Sequence, residues 1–245
     1  MSARTPTAAI VIIGNEILSG KTQDTNGPYL IGELKALGVD LREIAVVPDI
    51  HETIAETVTR LAAKVDFVFT SGGVGPTHDD ITIEAVARAF GRRIVREPSL
   101  EKALRWFYQD HLTDAHLRMA DVPEGAELVY DDGIKIPTLR LENVYVLPGI
   151  PELCRMKFAT VRERFRALPF HLRQIFVDAD EGLIADAMTR AQAAHPSVAI
   201  GSYPRLSNAE YRVKVTLESK DKGEVDVVCD ELVRAFGAEK IVRVE

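Results

Sequence analysis

One segment, DFVFTSGGVGPTHDDITIEAV at residues 66–86, constrains the fold and the function more than any other part of the chain. An apolar, β-rich run ends at Ser71, and a glycine-rich loop and a pair of adjacent carboxylates, Asp79 and Asp80, follow it. Glycines let backbone N–H groups approach an anion closely, and a helix start adds partial positive charge. The acid pair would repel a phosphate unless a cation lay between them. We therefore predict a strand–loop–helix site for a metal-bound phosphate or pyrophosphate, with a helix over residues 79–90.

A second interpretation of this segment has no ligand. Thr77 and Asp80 stand at the spacing of a capping box, in which the first residue caps a helix and the other bonds back to it. A glycine-rich turn capped in this way needs neither so many glycines nor two acids, so the phosphate site is the favoured interpretation.

Composition limits the class of protein. The chain has 245 residues, 46% of them hydrophobic, and a formal charge of −7, which is ordinary globular composition. The acidic balance disfavours a nucleic-acid partner, and no apolar run approaches the roughly 18 residues of a membrane helix. The first residues lack a signal-peptide pattern. Cys154 and Cys229 fit no metal or redox spacing, so we expect buried thiols in a cytoplasmic protein.

Hydrophobic periodicity predicts an alternation of strands and helices up to about residue 165. We expect strands at 8–13, 39–47, 66–70 and 143–147, and helices at 27–37, 51–64, 79–90, 98–120 and from the LPGIP turn to about residue 165. Such alternation is typical of a mostly parallel sheet with right-handed crossovers and with ligand loops at the carboxyl ends of the strands. The fold class is therefore α/β.

The pattern changes near Pro169, which suggests a domain boundary. Beyond it we expect strand, helix, two strands, helix and strand, at 172–178, 181–193, 197–203, 209–218, 223–236 and 239–244. That βαββαβ order indicates a small α+β domain of the split-βαβ type. The predicted domains are residues 1–168 and 169–245.

The first loop, GNEILSGKTQDTN at residues 14–26, resembles a nucleotide-binding P-loop but lacks its spacing. Five residues rather than four separate Gly14 from Gly20, and bulky side chains stand where the loop would wrap a phosphate. The loop nonetheless places polar groups at the end of the first strand, where a substrate would lie: Gly14, Asn15, Glu16, Thr25 and Asn26. The alternative role for Asp24, Thr25 and Asn26 is to cap the following helix.

Asp49 ends the second strand and has two possible roles. With Glu52 it fits a capping box. The expected strand order also brings it near the glycine loop, where Asp49 and Asp80 could share a divalent cation with phosphate oxygens, because hard oxygen ligands suit ions like Mg²⁺. A further strand–turn–helix junction, LPGIPE at residues 147–152, offers Pro148 and Gly149 for a close backbone approach.

Four linked motifs, GNEILSGKTQDTN, VVPD, SGGVGPTHDDIT and LPGIPE, together resemble the MoaB/Mog molybdopterin-binding family. The similarity is closest to the CinA (competence/damage-inducible protein A) N-terminal branch. The pieces TQDTN, GPTHDD, NVYVLPGIPEL, GSYP and YRVKVTLES look most like the molybdopterin-binding-type domain of eukaryotic FAD synthases. The resemblance implies a three-layer Mog-like domain, a divalent metal (Mg²⁺, Mn²⁺ or Co²⁺), a nucleotide or pterin ligand and a homo-oligomer. No tightly bound organic cofactor is expected.

The resemblance also implies roles for residues. Asp49 and Asp80 fall where the family keeps its functional acids, as catalytic and metal-binding residues. The expected substrate- or phosphate-binding set, which includes the polar groups of the first loop given above, continues with Ser71, Gly72, Gly73, Gly75, Thr77, Asp79, Pro148 and Gly149. The chain departs from the family at Asn15, where Asp is common, and at Ser71, where Thr is common.

The leading hypothesis is a metal-dependent nucleotide pyrophosphatase that releases AMP from a dinucleotide such as FAD or ADP-ribose. Two alternatives remain from the sequence: a pterin adenylyltransferase of the same fold, and a non-catalytic module that binds FAD or molybdopterin. Fold alone does not separate these three.

Overall fold

The computed structural model describes residues 4–130, 137–205 and 210–245. Contacts divide the chain into two compact units, and the division along the sequence falls between Ala167 and Leu168. None of the helices in these ranges is long and apolar enough to cross a membrane.

The first unit alternates strands and helices through most of its length. Its strands are β1 (Thr7–Ile13), β2 (Asp40–Val47), β3 (Phe67–Ser71), β4 (Ile94–Arg96), β5 (Asp121–Pro123), β6 (Glu127–Val129), β7 (Thr138–Leu141) and β8 (Val144–Leu147). Its helices are α1 (Asn15–Leu18), α2 (Asn26–Ala36), α3 (His51–Ala62), α4 (Thr82–Ala89), α5 (Pro98–Tyr108), α6 (Asp114–Arg118) and α7 (Pro151–Val161). Short 3₁₀ turns follow α5 at Gln109–His111 and α7 at Arg162–Phe165.

The main sheet has the order β2-β1-β3-β8-β7-β6. Strands β2, β1, β3 and β8 are parallel, and β7 and β6 add to them antiparallel. The mostly parallel sheet predicted from the sequence is therefore confirmed. Parallel pairing brings the loops after β1, β3 and β8 to one edge of the sheet, where ligands bind in open α/β sheets.

Helices cover both faces of this sheet and make it the middle of three layers. Alternate residues of β1 face opposite sides, so Ile10 packs in one core and Val11 in the other. Helices α2 and α7 close the Ile10 side, which also holds the aromatic cluster of Phe69, Phe158 and Phe165. Helices α3, α4 and α5 close the other side. The expected three-layer α/β domain is confirmed.

Two parts of the first unit differ from the sequence-based prediction. The helix expected over 98–120 is broken, because Gln109 adopts a positive φ of 46° at the end of α5 and α6 is a separate short helix. The strands β4 to β7 were not predicted. Each has three or four residues, and each is defined by pairing with a distant or antiparallel partner rather than by its own pattern.

The second unit is a four-stranded antiparallel sheet with two helices. It consists of β9 (His171–Val177), α8 (Gly182–Ala194), β10 (Ala199–Pro204), β11 (Val213–Ser219), α9 (Lys222–Phe236) and β12 (Ile241–Val244), with a 3₁₀ turn at Ala238–Lys240. Its sheet order is β10-β11-β9-β12. The buried positions of β11 alternate, as expected for a sheet with one covered face. The small βαββαβ domain is confirmed.

Candidate functional site

Three loops meet at the carboxyl edge of the main sheet. The N–H of Gly72 donates to the carbonyl of Leu147 at 3.2 Å, which joins the loop after β3 to the loop after β8. A methyl group at Gly149 would lie 3.3 Å from the Cα of Gly72, so these two backbones touch. The predicted binding residues of these loops are therefore neighbours in the fold.

The glycines of the β3 loop are required by geometry. Gly72 has a φ of +110°, and a Cβ there would lie 2.0 Å from the carbonyl oxygen of Ile13, which ends β1. Gly73 has a φ of +62°, and its Cβ would lie 2.4 Å from Oγ1 of Thr82. Residues with side chains rarely adopt these angles, and no larger residue has room. The loop thus passes directly over the end of β1.

Three backbone N–H groups of this loop have no acceptor among the described residues. Over residues 4–130, 137–205 and 210–245, no oxygen accepts a hydrogen bond from the N–H of Gly73, Val74 or Gly75. All three residues are half-buried. Successive unpaired N–H groups form the concave donor sites that bind anions in many phosphate-binding loops.

The Asp79–Asp80 pair belongs to the loop and not to a helix. Helix α4 begins at Thr82, so the prediction of a helix over 79–90 opened by these acids is wrong at its start. The reason is a tight turn: the N–H of Thr77 donates to Oδ2 of Asp80 at 2.8 Å, and its hydroxyl donates to Oδ1 of Asp79 at 2.6 Å. The same hydroxyl bond holds the pKa of the exposed Asp79 carboxyl below its usual value.

Asp80 reaches back over the glycine loop. A Cβ at Gly75 would lie 2.6 Å from Oδ2 of Asp80, so glycine is what permits this approach. The capping interpretation of Thr77 is wrong as well, because Thr77 lies five residues before α4 and its hydroxyl donates to the two carboxylates instead of accepting from a helix N–H.

Thr82 and Arg118 belong to this site, although the sequence analysis did not select them. The fully buried Thr82 donates from Oγ1 to the carbonyl of Gly72 at 2.7 Å, and from its N–H to the carbonyl of Gly73 at 3.1 Å. Arg118, on α6, donates to the carbonyl of Pro76 at 2.9 Å and places a positive charge beside the loop. Thr82 could have been selected from the sequence, because a threonine at the start of a helix often bonds to the preceding loop. Nothing in the sequence connects Arg118 to residue 76.

Asp49 fastens the loop after β2 to the loop after β1. Its Oδ2 accepts from the N–H of Asn15 at 2.8 Å, and the N–H of Gly14 donates to the carbonyl of Val47 at 3.2 Å. The capping box of Asp49 with Glu52 is absent, since α3 has Ile50 as its N-cap and no side-chain cap bond. Glu16 on α1 is exposed, and its carboxylate lies against Gly14, where an added Cβ would be 2.4 Å from Oε1.

Asn26 is the most buried polar side chain of the first loop, with 5% of its surface exposed. Its Nδ2 donates to Oγ of Ser71 at 2.9 Å and to the carbonyl of Gly149 at 2.8 Å, which ties together the loops after β1, β3 and β8. Its Oδ1 is buried and has no partner within the described ranges. Ser71 in turn donates to the carbonyl of Pro148 at 3.3 Å.

Capping of α2 falls to Asp24. Its carboxylate accepts from the N–H groups of Asn26 and Gly27 at 2.9 and 3.1 Å, whereas the Thr25 side chain makes no cap bond. Cys154 lies under the same network. Burial raises the pKa of its thiol to about 11, and a hydrogen bond with Ser71 acts in the opposite direction. Both cysteines are free and buried, as predicted.

The acids here can supply only part of a metal coordination shell. Within the described residues, no group of three or more His, Cys, Asp or Glu side chains could hold a metal ion. Asp49 and Asp80 stand on loops whose strands flank β1 in the sheet. Mg²⁺ is usually held by one or two carboxylates together with phosphate oxygens and water. Asp80 lies beside the glycine loop and is a ligand type that suits this donor set, whereas the observed contact of Asp49 is with Asn15 on the loop after β1.

Comparison with known families decides the relationship. Residues 9–167 match the model of the probable molybdopterin binding domain. The chain belongs to this family. Residues 169–245 match the middle domain of FAD synthase. Both parts of the resemblance drawn from the motifs are thereby confirmed.

Individual relatives of this molybdopterin-binding-domain protein share most of its length. It is 35% identical over 216 residues to a protein of Archaeoglobus fulgidus, covering 88% of the chain and 92% of that protein. It is 32% identical over 254 residues to a probable FAD synthase of Caenorhabditis briggsae, covering 91% of the chain and 48% of that protein. The chain thus spans about half of the FAD synthase relative, 48% of its length.

A solved structure supports the fold. The crystal structure of CinA, a protein of unknown function from Thermoplasma acidophilum, superposes with a TM-score of 0.61 at 28% identity, covering 66% of this chain and 98% of that one. This similarity concerns architecture, and the chemistry of the site has to be argued from its own residues.

Proposed function

We propose that the first unit is a divalent-metal-dependent pyrophosphatase that cleaves the diphosphate of a dinucleotide, such as FAD or ADP-ribose, and releases AMP. The unpaired N–H groups of Gly73, Val74 and Gly75, held beside the Asp80 carboxylate, are the observation that carries the proposal. Similarity to a probable FAD synthase and to the molybdopterin-binding family supports a nucleotide- or FAD-related ligand.

The chain's own groups would position the diphosphate. The N–H groups of residues 73–75 would donate to phosphoryl oxygens and stabilise the charge that develops on them during the reaction. Arg118, which donates to the carbonyl of Pro76, adds a cation next to the loop. Thr77 holds Asp80 in place through its N–H, so that the carboxylate stays beside the loop.

Asp80, together with Asp49, would hold the divalent ion. When bound, such an ion neutralises part of the diphosphate charge and lowers the pKa of a coordinated water. The Oδ2 atom of each carboxylate is engaged by the chain, at Thr77 and at Asn15, which fixes the orientation of both side chains.

The reaction is a hydrolysis with a simple balance. A water oxygen forms a bond to one phosphorus, the bond from that phosphorus to the bridging oxygen breaks, and the released protons pass to solvent. FAD and water would give FMN and AMP, and ADP-ribose and water would give ribose 5-phosphate and AMP. No oxidant, reductant or second substrate is needed.

Product analysis tests this function. The purified chain is incubated with FAD, ADP-ribose or NAD and with Mg²⁺, Mn²⁺ or Co²⁺, and AMP is measured. We expect AMP with at least one metal and its loss on addition of EDTA. Binding of these ligands without AMP under any metal would instead assign the unit as a non-catalytic binding module.

Substrate choice is a separate question. The FAD synthase similarity favours FAD, with ADP-ribose second. Specificity constants measured side by side decide it, because a tenfold ratio corresponds to about 1.4 kcal/mol of transition-state discrimination. If ADP-ribose exceeds FAD by more than about tenfold, the flavin assignment is wrong while the pyrophosphatase function stands.

A further inference from the structure

The side-chain amide of Asn26 has one orientation that its neighbours permit. A backbone carbonyl can only accept a hydrogen bond, so the nitrogen and not the oxygen must face the carbonyl of Gly149, 2.8 Å away. The second proton of that nitrogen points to Oγ of Ser71 at 2.9 Å. Both donors of the amide are therefore engaged.

The remaining atom, Oδ1, is a buried acceptor without a donor among the residues that the structure describes. Buried polar atoms in folded proteins are almost always paired, and exceptions call for a reason such as a ligand or a bound water. The side chain stands where the loops after β1, β3 and β8 meet, within the candidate site. The described residues leave this enclosed acceptor without a donor, and a ligand seated against the three loops could supply one.

Phosphate cannot be that donor. At neutral pH the phosphoryl oxygens of a diphosphate diester carry negative charge and accept hydrogen bonds, so Oδ1 would repel them. Within the predicted substrate- or phosphate-binding set, the bonding of Asn26 therefore favours contact with a part of the substrate other than phosphate. The groups of a dinucleotide that can donate are the N–H groups of its heterocycle and the O–H groups of its sugar.

The geometry points to Asn26 Oδ1 as the acceptor for an N–H or O–H donor in the organic part of the ligand. Asn26 is then a specificity-determining residue, and the diphosphate lies toward residues 73–75. This inference rests on the proposed function for the identity of the ligand class. It adds to that function a division of the site: Asn26 contacts the organic part of the ligand, and residues 73–75 contact its phosphates.

Thr70 offers a matched control. Its Oγ1 is the other uncharged buried oxygen without a partner in the described ranges. It lies on β3 between Val11 and Val146, both of which pack in the core on the α3–α4 side of the sheet. Thr70→Val removes this oxygen with little change in shape and should leave ligand binding unaltered.

The test is a thermodynamic cycle in which one side chain of the protein and one donor group of the ligand are removed, separately and together. Dissociation constants are measured by calorimetry without added metal for ADP-ribose, NAD and FAD, and for analogues that each lack one donor: 2′-deoxyribose, a purine without its 6-amino group, and N3-methylated flavin. In wild-type protein and in Thr70→Val, removal of the recognised donor should weaken binding at least tenfold. In Asn26→Ala the parent ligand and the analogue without that donor should bind within about threefold of each other, because the side chain that distinguishes them has been removed.

The analogue that binds more weakly than its parent to wild-type protein but not to Asn26→Ala identifies the donor as a group of the sugar or of the heterocycle. Equal losses in wild type and Asn26→Ala for every analogue overturn the inference. Ligand binding with coupling but without AMP release refutes the pyrophosphatase and leaves the role of Asn26 standing. If none of the dinucleotides binds wild-type protein either without metal or with added Mg²⁺, Mn²⁺ or Co²⁺, the inference and the proposed function both fail.

Asn26→Ala also loses the bonds to Ser71 and Gly149 and can fail to fold. A crystal structure of wild-type protein with ADP-ribose or FAD gives an independent answer. We expect an N–H or O–H of the ligand within about 3.2 Å of Oδ1. A chain N–H or only solvent at that position would contradict the inference.

Discussion

At the scale of single residues, Lys157 is the charged group most at odds with its surroundings. It lies on α7 with 9% of its surface exposed, and its Nζ donates to the carbonyl of Pro137. Burial lowers the pKa of the ammonium to about 8, because an apolar environment disfavours the charged form. Between that value and the ordinary lysine pKa, the unfolded chain binds more protons than the folded one, so folding stability rises with pH there.

Lys157→Met should therefore flatten the pH dependence of stability. From pH 8 to about pH 10.5 we expect the wild-type free energy of unfolding to gain on the order of 3 kcal/mol relative to the variant. Urea unfolding at several pH values measures this. Lys222→Met is the control, since Lys222 is an exposed lysine on α9 and should leave the slope unchanged. Parallel curves for wild type and Lys157→Met would show that the ammonium is not destabilised by burial.

At the scale of elements, the local sequence pattern predicted a helix or strand correctly where the residues of that segment alone determine its structure. The continuous apolar run of β1 and the helical spacing in α2 and α3 gave both type and place. It failed for β6 and β7, which are short and are strands only because they pair next to β8. The Asp79–Asp80 turn was missed because a capping sequence and a tight turn use the same residue types.

The site shows the same division. The glycine loop and Asp80 were visible in the sequence as an unusual composition beside a strand. The bond from Asn26 to Gly149 joins residues 123 positions apart, and Arg118 reaches a carbonyl 42 positions away. Such contacts depend on strand order and loop path, which one sequence does not specify.

The β3 loop allows a prediction at this scale. Gly72→Ala should destabilise the first unit by about 2 kcal/mol or more, because the methyl group would meet the Ile13 carbonyl and the positive φ would be strained. Gly32→Ala is the control: Gly32 is an exposed glycine within α2 with nothing within 4 Å of an added Cβ. It should stabilise the protein by about 0.5–1 kcal/mol through helix propensity. Equal melting temperatures for the two variants would refute the close approach at Gly72.

At the scale of the whole molecule, the second unit has what an independent domain requires. Its buried cluster joins residues of β9, β11, α8 and α9, including Ile175, Val215, Leu232 and Phe236. Within the described part of the chain, every strand of its sheet pairs only with strands of the same unit. The assembly state and the cytoplasmic location expected from the sequence remain predictions.

We therefore expect residues 168–245 to fold alone. Expressed separately, the fragment should unfold cooperatively in urea, with the same transition from circular dichroism and from tyrosine fluorescence. A fragment that gives a non-cooperative transition or no dispersed NMR spectrum would show that its core depends on the rest of the chain.

The proposed metal-dependent cleavage at the loop after β3 depends on Asp80, and the kinetics of an Asp80 variant test that dependence. We measure kcat/KM for AMP release from FAD and ADP-ribose with wild type, Asp80→Asn and Asp186→Asn, at a saturating concentration of the activating metal. Asp186 is an exposed carboxylate on α8 and controls for the loss of one charge.

Asn can accept the same bond from the Thr77 N–H, so Asp80→Asn should keep the wild-type melting temperature. We expect this variant to lose at least about 100-fold in kcat/KM, a barrier change near 2.7 kcal/mol, while Asp186→Asn stays at the wild-type value. Turnover of a correctly folded Asp80→Asn within about threefold of wild type, a difference below about 1 kcal/mol, would contradict it.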